Sequence, residues 1–141
     1  MPSTKLPITA QAFMDAYKSW DLEKLMSLRS ADCVQRIFPQ NLPVPARNND
    51  DFREYFQSIQ SIFKDWETET LETIVDAAAH KVVIHGICKA STIIGPFTNE
   101  VMFVLKMTED DALIKDIKEF VDSAASRDFF IRLRETQNRE S

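Results

Sequence analysis

The 141-residue sequence holds only two glycines, Gly86 and Gly95, which excludes the glycine-rich phosphate loops of nucleotide-binding folds. Cysteine is equally scarce. Cys33 and Cys88 are too few for a disulfide framework and lack CxxC spacing, so they read as buried thiols in a reducing compartment. Cysteine and histidine together fall at 33, 80, 85 and 88, a scatter that matches no tetrahedral zinc motif, and no metal is expected. Basic runs are missing too. Lys and Arg total 17 against 22 Asp and Glu, a net charge of −5, so clustered phosphate contacts to nucleic acid are not expected. Apolar runs such as 82–84 and 102–105 are far short of the roughly 20 residues needed to span a membrane. The opening MPSTK carries no apolar leader. Repeats and low-complexity segments are also missing. These absences describe one soluble, cytoplasmic domain over 1–141, without membrane or nucleic-acid partners.

What is present is core material: 44% hydrophobic residues, ten of them Phe. A first helix is expected from about Thr9, with Phe13, Ala16, Tyr17 and Trp20 on one face. Asp21 caps a short second helix. Residues 32–38 read as a strand, and 39–48, with three prolines, as a stiff loop. A third helix starts at Asn48 or Asn49. Phe52, Tyr55, Phe56, Ile59, Phe63 and Trp66 then fall at helical spacing, a stripe read as packing on a sheet; the alternative is that one or two of these rings also line a ligand cavity. Strands follow at about 67–77, 81–93, 98–108 and 112–121. A helix capped by Asp122 or Ser123 ends the fold near Arg134, before a frayed polar tail. This order gives an α+β cone: a curved antiparallel sheet wrapped by the N-terminal helices, with a pocket at its wide end.

The order, together with WDLEKL at 20–25, the proline loop with Arg47, GPFTNE at 95–100 and EFVDS at 119–123, resembles the SnoaL-like branch of the nuclear-transport-factor-2-like superfamily. GPFTNE and EFVDS are similar to small fungal isomerases that tailor polyketides and meroterpenoids in terretonin- and austinol-type pathways. The resemblance covers about 8–134. It implies a homodimer, a pocket with a few acid–base residues, no metal or organic cofactor, and isomerisation or cyclisation of a small hydrophobic, ketone-rich substrate. Dehydratases and pure binding modules share the superfamily. The related ketosteroid isomerases carry carboxylates at positions that correspond here to Phe38 and Phe103, so their mechanism does not transfer and any base sits elsewhere.

Alternation narrows the search. Asn99, Val101, Phe103, Leu105 and Met107 share one face; Glu100, Met102, Val104 and Lys106 share the other. With the turn centred near Asp110, Ile117 faces Phe103, Glu119 faces Val101 and Val121 faces Asn99. A bulge would break this register. Glu119 then lies on an apolar face, where desolvation raises a carboxyl pKa toward the range useful for proton transfer, and it is the first candidate acid–base group. The bland alternative is a structural Glu bound to Arg47 or Asn99. Asn99 is a candidate to polarise a substrate carbonyl, or a residue shaping the turn. Arg47 either clamps a substrate oxyanion or carboxylate, or pairs with Asp50, Asp51 or a sheet carboxylate. His85 is catalytic if its strand face enters the cavity, and points toward a dimer partner if Val82, Ile84, Gly86, Cys88 and Ala90 face the core. Glu100 enters the site only on that reversed face. Tyr55, Phe38, Phe103 and Val101 complete the expected substrate wall. The rival to an enzyme is a non-catalytic binding or assembly module with no polar constellation in its cone. The second sheet face, carrying Ile87, Met102 and Val104, needs a cover, and a homodimer joined sheet to sheet supplies one.

Overall fold

The computed structural model describes residues 5–140. The expectation that no apolar leader opens the chain rests on residues 1–5, of which 1–4 lie outside the described residues. The elements are α1 (Lys5–Lys18), α2 (Leu22–Ser27), β1 (Arg29–Phe38), α3 (Asn49–Ile59), β2 (Lys64–Asp76), β3 (Lys81–Thr92), β4 (Gly95–Met107), β5 (Ile114–Val121) and α4 (Ser123–Glu140). The sheet is five-stranded, open and mixed, in the order β1-β5-β4-β3-β2. β2 to β5 pair antiparallel in chain order, as the short turns require. β1 lies beside β5 and runs parallel to it, with Gln35 opposite Ile117 and Ile37 opposite Glu119. The sheet is therefore not wholly antiparallel.

Local chemistry explains the helix starts. Asp21 accepts from Lys24 N at 3.1 Å and caps α2. Asn48 caps α3 in a reciprocal box with Asp51, whose carboxylate accepts from Asn48 N. Asp122 accepts from Ala125 N and starts α4. β1, β2 and β4 each begin three residues earlier than the pattern reading, at Arg29, Lys64 and Gly95, and three helix boundaries also differ from it. α1 begins at Lys5, because Pro7 sits in the first turn, where its missing N–H costs nothing. Thr9 is thus inside the helix, and its hydroxyl donates to Asp111 O at 2.6 Å. α3 ends at Ile59, so Phe63 belongs to the following turn and Trp66 to β2, although both rings still reach the shared core. α4 continues beyond Arg134 to Glu140 instead of fraying.

Two apolar clusters hold the cone. The larger joins α1, α2 and α3 to the inner sheet face, around Leu6, Phe13, Phe56, Ile84, Phe103 and Ile117. The smaller, of Phe63, Ala90, Phe97, Phe129 and Leu133, fastens α4 across the wide end. Trp20 and Trp66, stacked at 4.2 Å between centroids, touch both. Burying Phe129 and Leu133 stabilises the docked α4 by roughly 1.5–3 kcal/mol per side chain. The narrow end is closed by polar groups: Asp111, in a left-handed conformation at φ 59°, meets His80 Nδ1 at 2.7 Å.

The β4–β5 register differs by two residues from the expected one. Phe103 faces Glu119, Val101 faces Val121 and Leu105 faces Ile117, with an irregularity at Lys106/Met107 where the connecting loop begins. A shift of two positions leaves every side chain on its expected face.

Gly86 marks the place where the sheet bends. A β-bulge interrupts the pairing of β2 with β3 between Thr70 and Glu72, and a Cβ on Gly86 would lie 2.8 Å from Glu69 O. That neighbour is backbone and cannot swing aside. Gly86→Ala is expected to cost about 1–3 kcal/mol, read as a loss of several degrees in thermal unfolding. An unchanged Tm would show that β2 does not need this close approach.

Candidate active site

The wide end of the cone encloses a cavity of about 470 Å³. Its sheet wall comes from the inner faces of β1, β5, β4 and β3, with Trp66 from β2. Its helical walls are α1, α3 and α4, and the segment 42–44 closes one side. Most of the lining is aromatic or aliphatic, which makes each polar group in it conspicuous.

Glu119 is the carboxylate of this lining. It reaches the inner face because β5 alternates, with Ile117 buried two residues before it. Burial among apolar side chains pushes its pKa from 4.5 up to about 7, against the lowering effects of the Gln35 hydrogen bond and the Arg47 charge. Gln35 Nε2 donates to Glu119 Oε1 at 2.9 Å. The orientation of that amide is fixed from behind. Arg29 Nη1 donates to Gln35 Oε1 at 2.8 Å, and a guanidinium can only donate, so the Gln35 NH₂ must face Glu119. Arg29 is itself 7% exposed, held by Asn49 Oδ1 at 2.8 Å and by the Phe52 ring 4.3 Å beneath it. Because Oε1 is occupied as an acceptor, Oε2 is the oxygen left to carry or take up a proton.

Arg47 sits at the end of the proline loop, where two backbone hydrogen bonds, Gln35 N to Arg47 O and Arg47 N to Gln35 O, pin it beside β1. Its guanidinium lies 3.6 Å over the Tyr55 ring, and it makes no ion pair among the described residues, with Asp50, Asp51 or Glu119. Tyr55 and Tyr17 both line the cavity, close enough for the Glu119 charge to act on them. Burial first, and that charge second, push the Tyr55 phenol up to about 12 and the Tyr17 phenol well above its usual value. Both hydroxyls therefore stay protonated and available as donors. Cys88 is in the wall, but burial raises its pKa to about 12, and Cys33 to about 11, so neither is a thiolate at neutral pH. Both are free thiols.

The structure separates the remaining expected site residues. Val101 and Phe103 line the cavity, Phe103 directly opposite Glu119. Asn99 also lines it, but its amide is engaged: Nδ2 donates to Ser126 Oγ at 2.5 Å and Oδ1 accepts from Asp122 N at 3.0 Å. It ties β4 to α4 and stands away from Glu119, which faces Phe103 four residues further along β4. Three residues are not part of the cavity wall. His85 and Glu100 point to the outer sheet face and meet each other there, Nε2 to Oε2 at 2.6 Å, since Val82, Ile84, Gly86 and Cys88 take the inner positions. Phe38 is also outward, stacked on Phe120 at 4.7 Å, because Cys33, Gln35 and Ile37 take the inner positions of β1. The alternation reading had not singled out Arg29, Gln35, Tyr17 or the α4 residues Arg127 and Arg134 as site residues. Gln35 carries a signal in hindsight: it is a polar residue in phase with buried Cys33. Its partner is invisible without the β1–β5 pairing.

Among the described residues, no three His, Cys, Asp or Glu side chains converge to hold a metal ion, and no helix is long and apolar enough to cross a membrane.

No family model matches the chain. Individual relatives do. It is 34% identical over 138 residues to austinoid biosynthesis clusters protein F of Penicillium brasilianum, covering 96% of this chain and 87% of the relative. It is 33% identical to the isomerase PrhC of the same fungus, covering 92% of this chain and 76% of that protein. The solved structure of PrhC superposes with a TM-score of 0.88, at 32% identity, covering 94% of this chain and 90% of the other. The BvnE pinacolase of Penicillium brevicompactum superposes with a TM-score of 0.90 at 27% identity, covering 94% and 96%. The same ketosteroid-isomerase-like cone is found in more distant proteins. The chain therefore belongs to the SnoaL-like family of fungal meroterpenoid-tailoring proteins, and it is an enzyme of that family's isomerase type.

Proposed function

We propose that this enzyme isomerises or cyclises a hydrophobic, meroterpenoid- or polyketide-derived ketone by acid–base chemistry from its own side chains, with Glu119 as the proton carrier and no cofactor. The observation that carries this reading is a carboxyl with a pKa of about 7 on an apolar wall, one oxygen held by Gln35 and the other left for substrate. A base is most useful when its pKa lies near the working pH. Glu119 Oε2 takes a proton from the carbon next to a substrate carbonyl, and the electron pair moves to the carbonyl oxygen as an enolate. The protonated phenols of Tyr17 and Tyr55 and the Arg47 guanidinium supply donors and positive charge toward that oxyanion. Ring bonds rearrange, and the same carboxyl returns the proton. Aromatic walls exclude water while this happens. A binding module would gain nothing from a carboxylate that is costly to ionise where it stands.

We also propose that the enzyme is a homodimer joined through the outer sheet faces. Ile74, Met102 and Phe120 are 53%, 41% and 43% exposed on that face, beside Val83, Ile87 and Phe38. Its charges are unevenly spread: Glu67, Glu69 and Glu72 lie along β2, whereas Lys118 and the Arg36–Asp116 ion pair lie toward the opposite edge. A two-fold axis lying in the interface plane, along the strand direction, sets the acidic β2 edge of one copy over the β1–β5 edge of the other. Light scattering at micromolar concentration is expected to give twice the 16.2 kDa chain mass. A value at the chain mass would remove this proposal.

Glu119→Gln keeps the size and a hydrogen bond to Gln35 but removes the ionisable proton. It is expected to lower kcat by about 10²–10⁴-fold, and the wild-type rise in activity through pH 7 is expected to vanish with it. Turnover at the wild-type rate would overturn the acid–base reading.

The same carboxyl makes stability depend on pH. Its folded pKa, about 7, lies above the 4.5 of an exposed Glu. The folded state thus holds the proton more tightly, an advantage that is complete below about pH 4.5 and is lost as pH rises through 7, worth up to about 3 kcal/mol. Glu119→Gln is expected to unfold at nearly the wild-type Tm at pH 5 and several degrees higher than wild type at pH 8. An equal difference at both pH values would show that Glu119 is not desolvated.

A further inference from the structure

The cavity lining contains three arginines, Arg47, Arg127 and Arg134, against the single carboxylate of Glu119. That is a local reversal of sign in a chain with a net charge of −5. Arg127 and Arg134 are placed by α4. Together with Ser126, Phe130 and Ile131 they form the stripe of that helix facing the cavity, at the spacing of one helical face. The two guanidinium-bearing positions stand two turns apart, with Phe130 and Ile131 between them.

Nothing among the described residues neutralises them. Arg132, on the adjacent stripe, is engaged by Asp128 at 3.5 Å and by Ile94 O at 3.1 Å. Arg36 and Arg53 are paired with Asp116 and Glu23. The side chains of Arg127 and Arg134 have no such carboxylate partner, and Arg47 has only the Tyr55 ring. Of the five arginines elsewhere, Arg36, Arg53 and Arg132 have a carboxylate partner, whereas none of the three around the cavity does among the described residues. They also act at different depths. Arg47 is near enough to influence Glu119, whereas neither α4 arginine perturbs that carboxyl. The α4 pair therefore sits at the rim, away from the proton-transfer centre.

We propose that Arg127 and Arg134 form an anion-binding rim, and that the natural substrate is a hydrophobic polycycle bearing a carboxylate, held with its carboxylate at α4 and its ketone at Glu119. This rests on the isomerase reading of the same cavity. The aromatic walls accept the ring system, and the fork of a guanidinium matches the two oxygens of a carboxylate. The placement also keeps the carboxylate away from Glu119, where a second negative charge would hinder ionisation of the base.

The probe is abietic acid, a tricyclic carboxylic acid, compared with its methyl ester, which has the same rings and no charge. Trp20 and Trp66 are the only tryptophans and both line the cavity, so intrinsic fluorescence reports its occupancy. The acid is expected to bind about tenfold more tightly than the ester, the scale of one charge-assisted contact. Added salt narrows that gap. In the Arg127→Gln/Arg134→Gln double variant the acid is expected to weaken to the level of the ester, with the ester unchanged. Both positions are exposed, so the fold should persist, and circular dichroism checks it. An ester that binds wild type as tightly as the acid overturns the proposal, as does a gap that survives in the double variant or a probe pair that neither quenches nor shifts the fluorescence. Glu119→Gln separates the two readings. It is expected to bind the acid at least as well as wild type while losing turnover. Loss of acid preference with an inactive Glu119→Gln removes the rim alone; acid preference with an active Glu119→Gln removes the acid–base reading alone.

Discussion

The parallel pairing of β1 with β5 is the constraint on which the site depends. It joins residues more than eighty positions apart and makes β5 an interior strand, so that Glu119 has protein on both sides. It brings Gln35 within 2.9 Å of the carboxylate, with Arg29 directly behind. The same strand anchors Arg47 through the backbone bridge to Gln35. Without this pairing Glu119 would stand on an edge strand open to water, and its pKa would relax toward that of an ordinary carboxylic acid. A parallel pair needs a long crossover, and here the crossover is the rest of the fold: the chain from Pro39 to Leu113 builds α3 and three strands before returning to β1.

Much of this was legible in one dimension because alternation depends only on parity. The expected β4–β5 register missed by two positions, yet Glu119, Val101 and Phe103 stayed on the inner face and Glu100 on the outer. Helix caps at Asp21, Asn48 and Asp122 were legible because their chemistry is local. What was not legible was long-range. The partner of β1, the Gln35 amide turned by Arg29, and the passage of α4 over the cavity all depend on contacts that no local pattern encodes. Phe63 and Trp66 show the opposite failure: they kept helical spacing with α3 but belong to the next turn and strand, because the shared core rewards apolar residues whatever element carries them. His85 could be read on either face until the small and branched residues around it settled which side was buried.

The polar groups of the cavity form a graded set. Arg29 stands behind the wall, outside the cavity lining, held by Asn49 and stacked over Phe52. Gln35 transmits its orientation, and Glu119 stands at the surface of the wall. Each group is oriented by the one behind it, which is how an isolated carboxylate can be held in one rotamer on an otherwise greasy surface. The arrangement also opposes stability to readiness. The apolar surroundings that bring the Glu119 pKa near neutrality make its ionised form a liability for the fold.

The two apolar clusters divide these tasks between separate parts of the molecule. The wall carrying Glu119 belongs to the larger cluster, built from the inner sheet and the first three helices, whereas the rim carried by α4 is fastened by the smaller one around Phe129 and Leu133. Substitutions on the cavity-facing stripe of α4, at 127, 131 and 134, can reshape what is admitted without loosening either cluster or moving Glu119. A lineage built on this plan can diversify its repertoire of substrates by drift along a single helix while inheriting its chemistry intact.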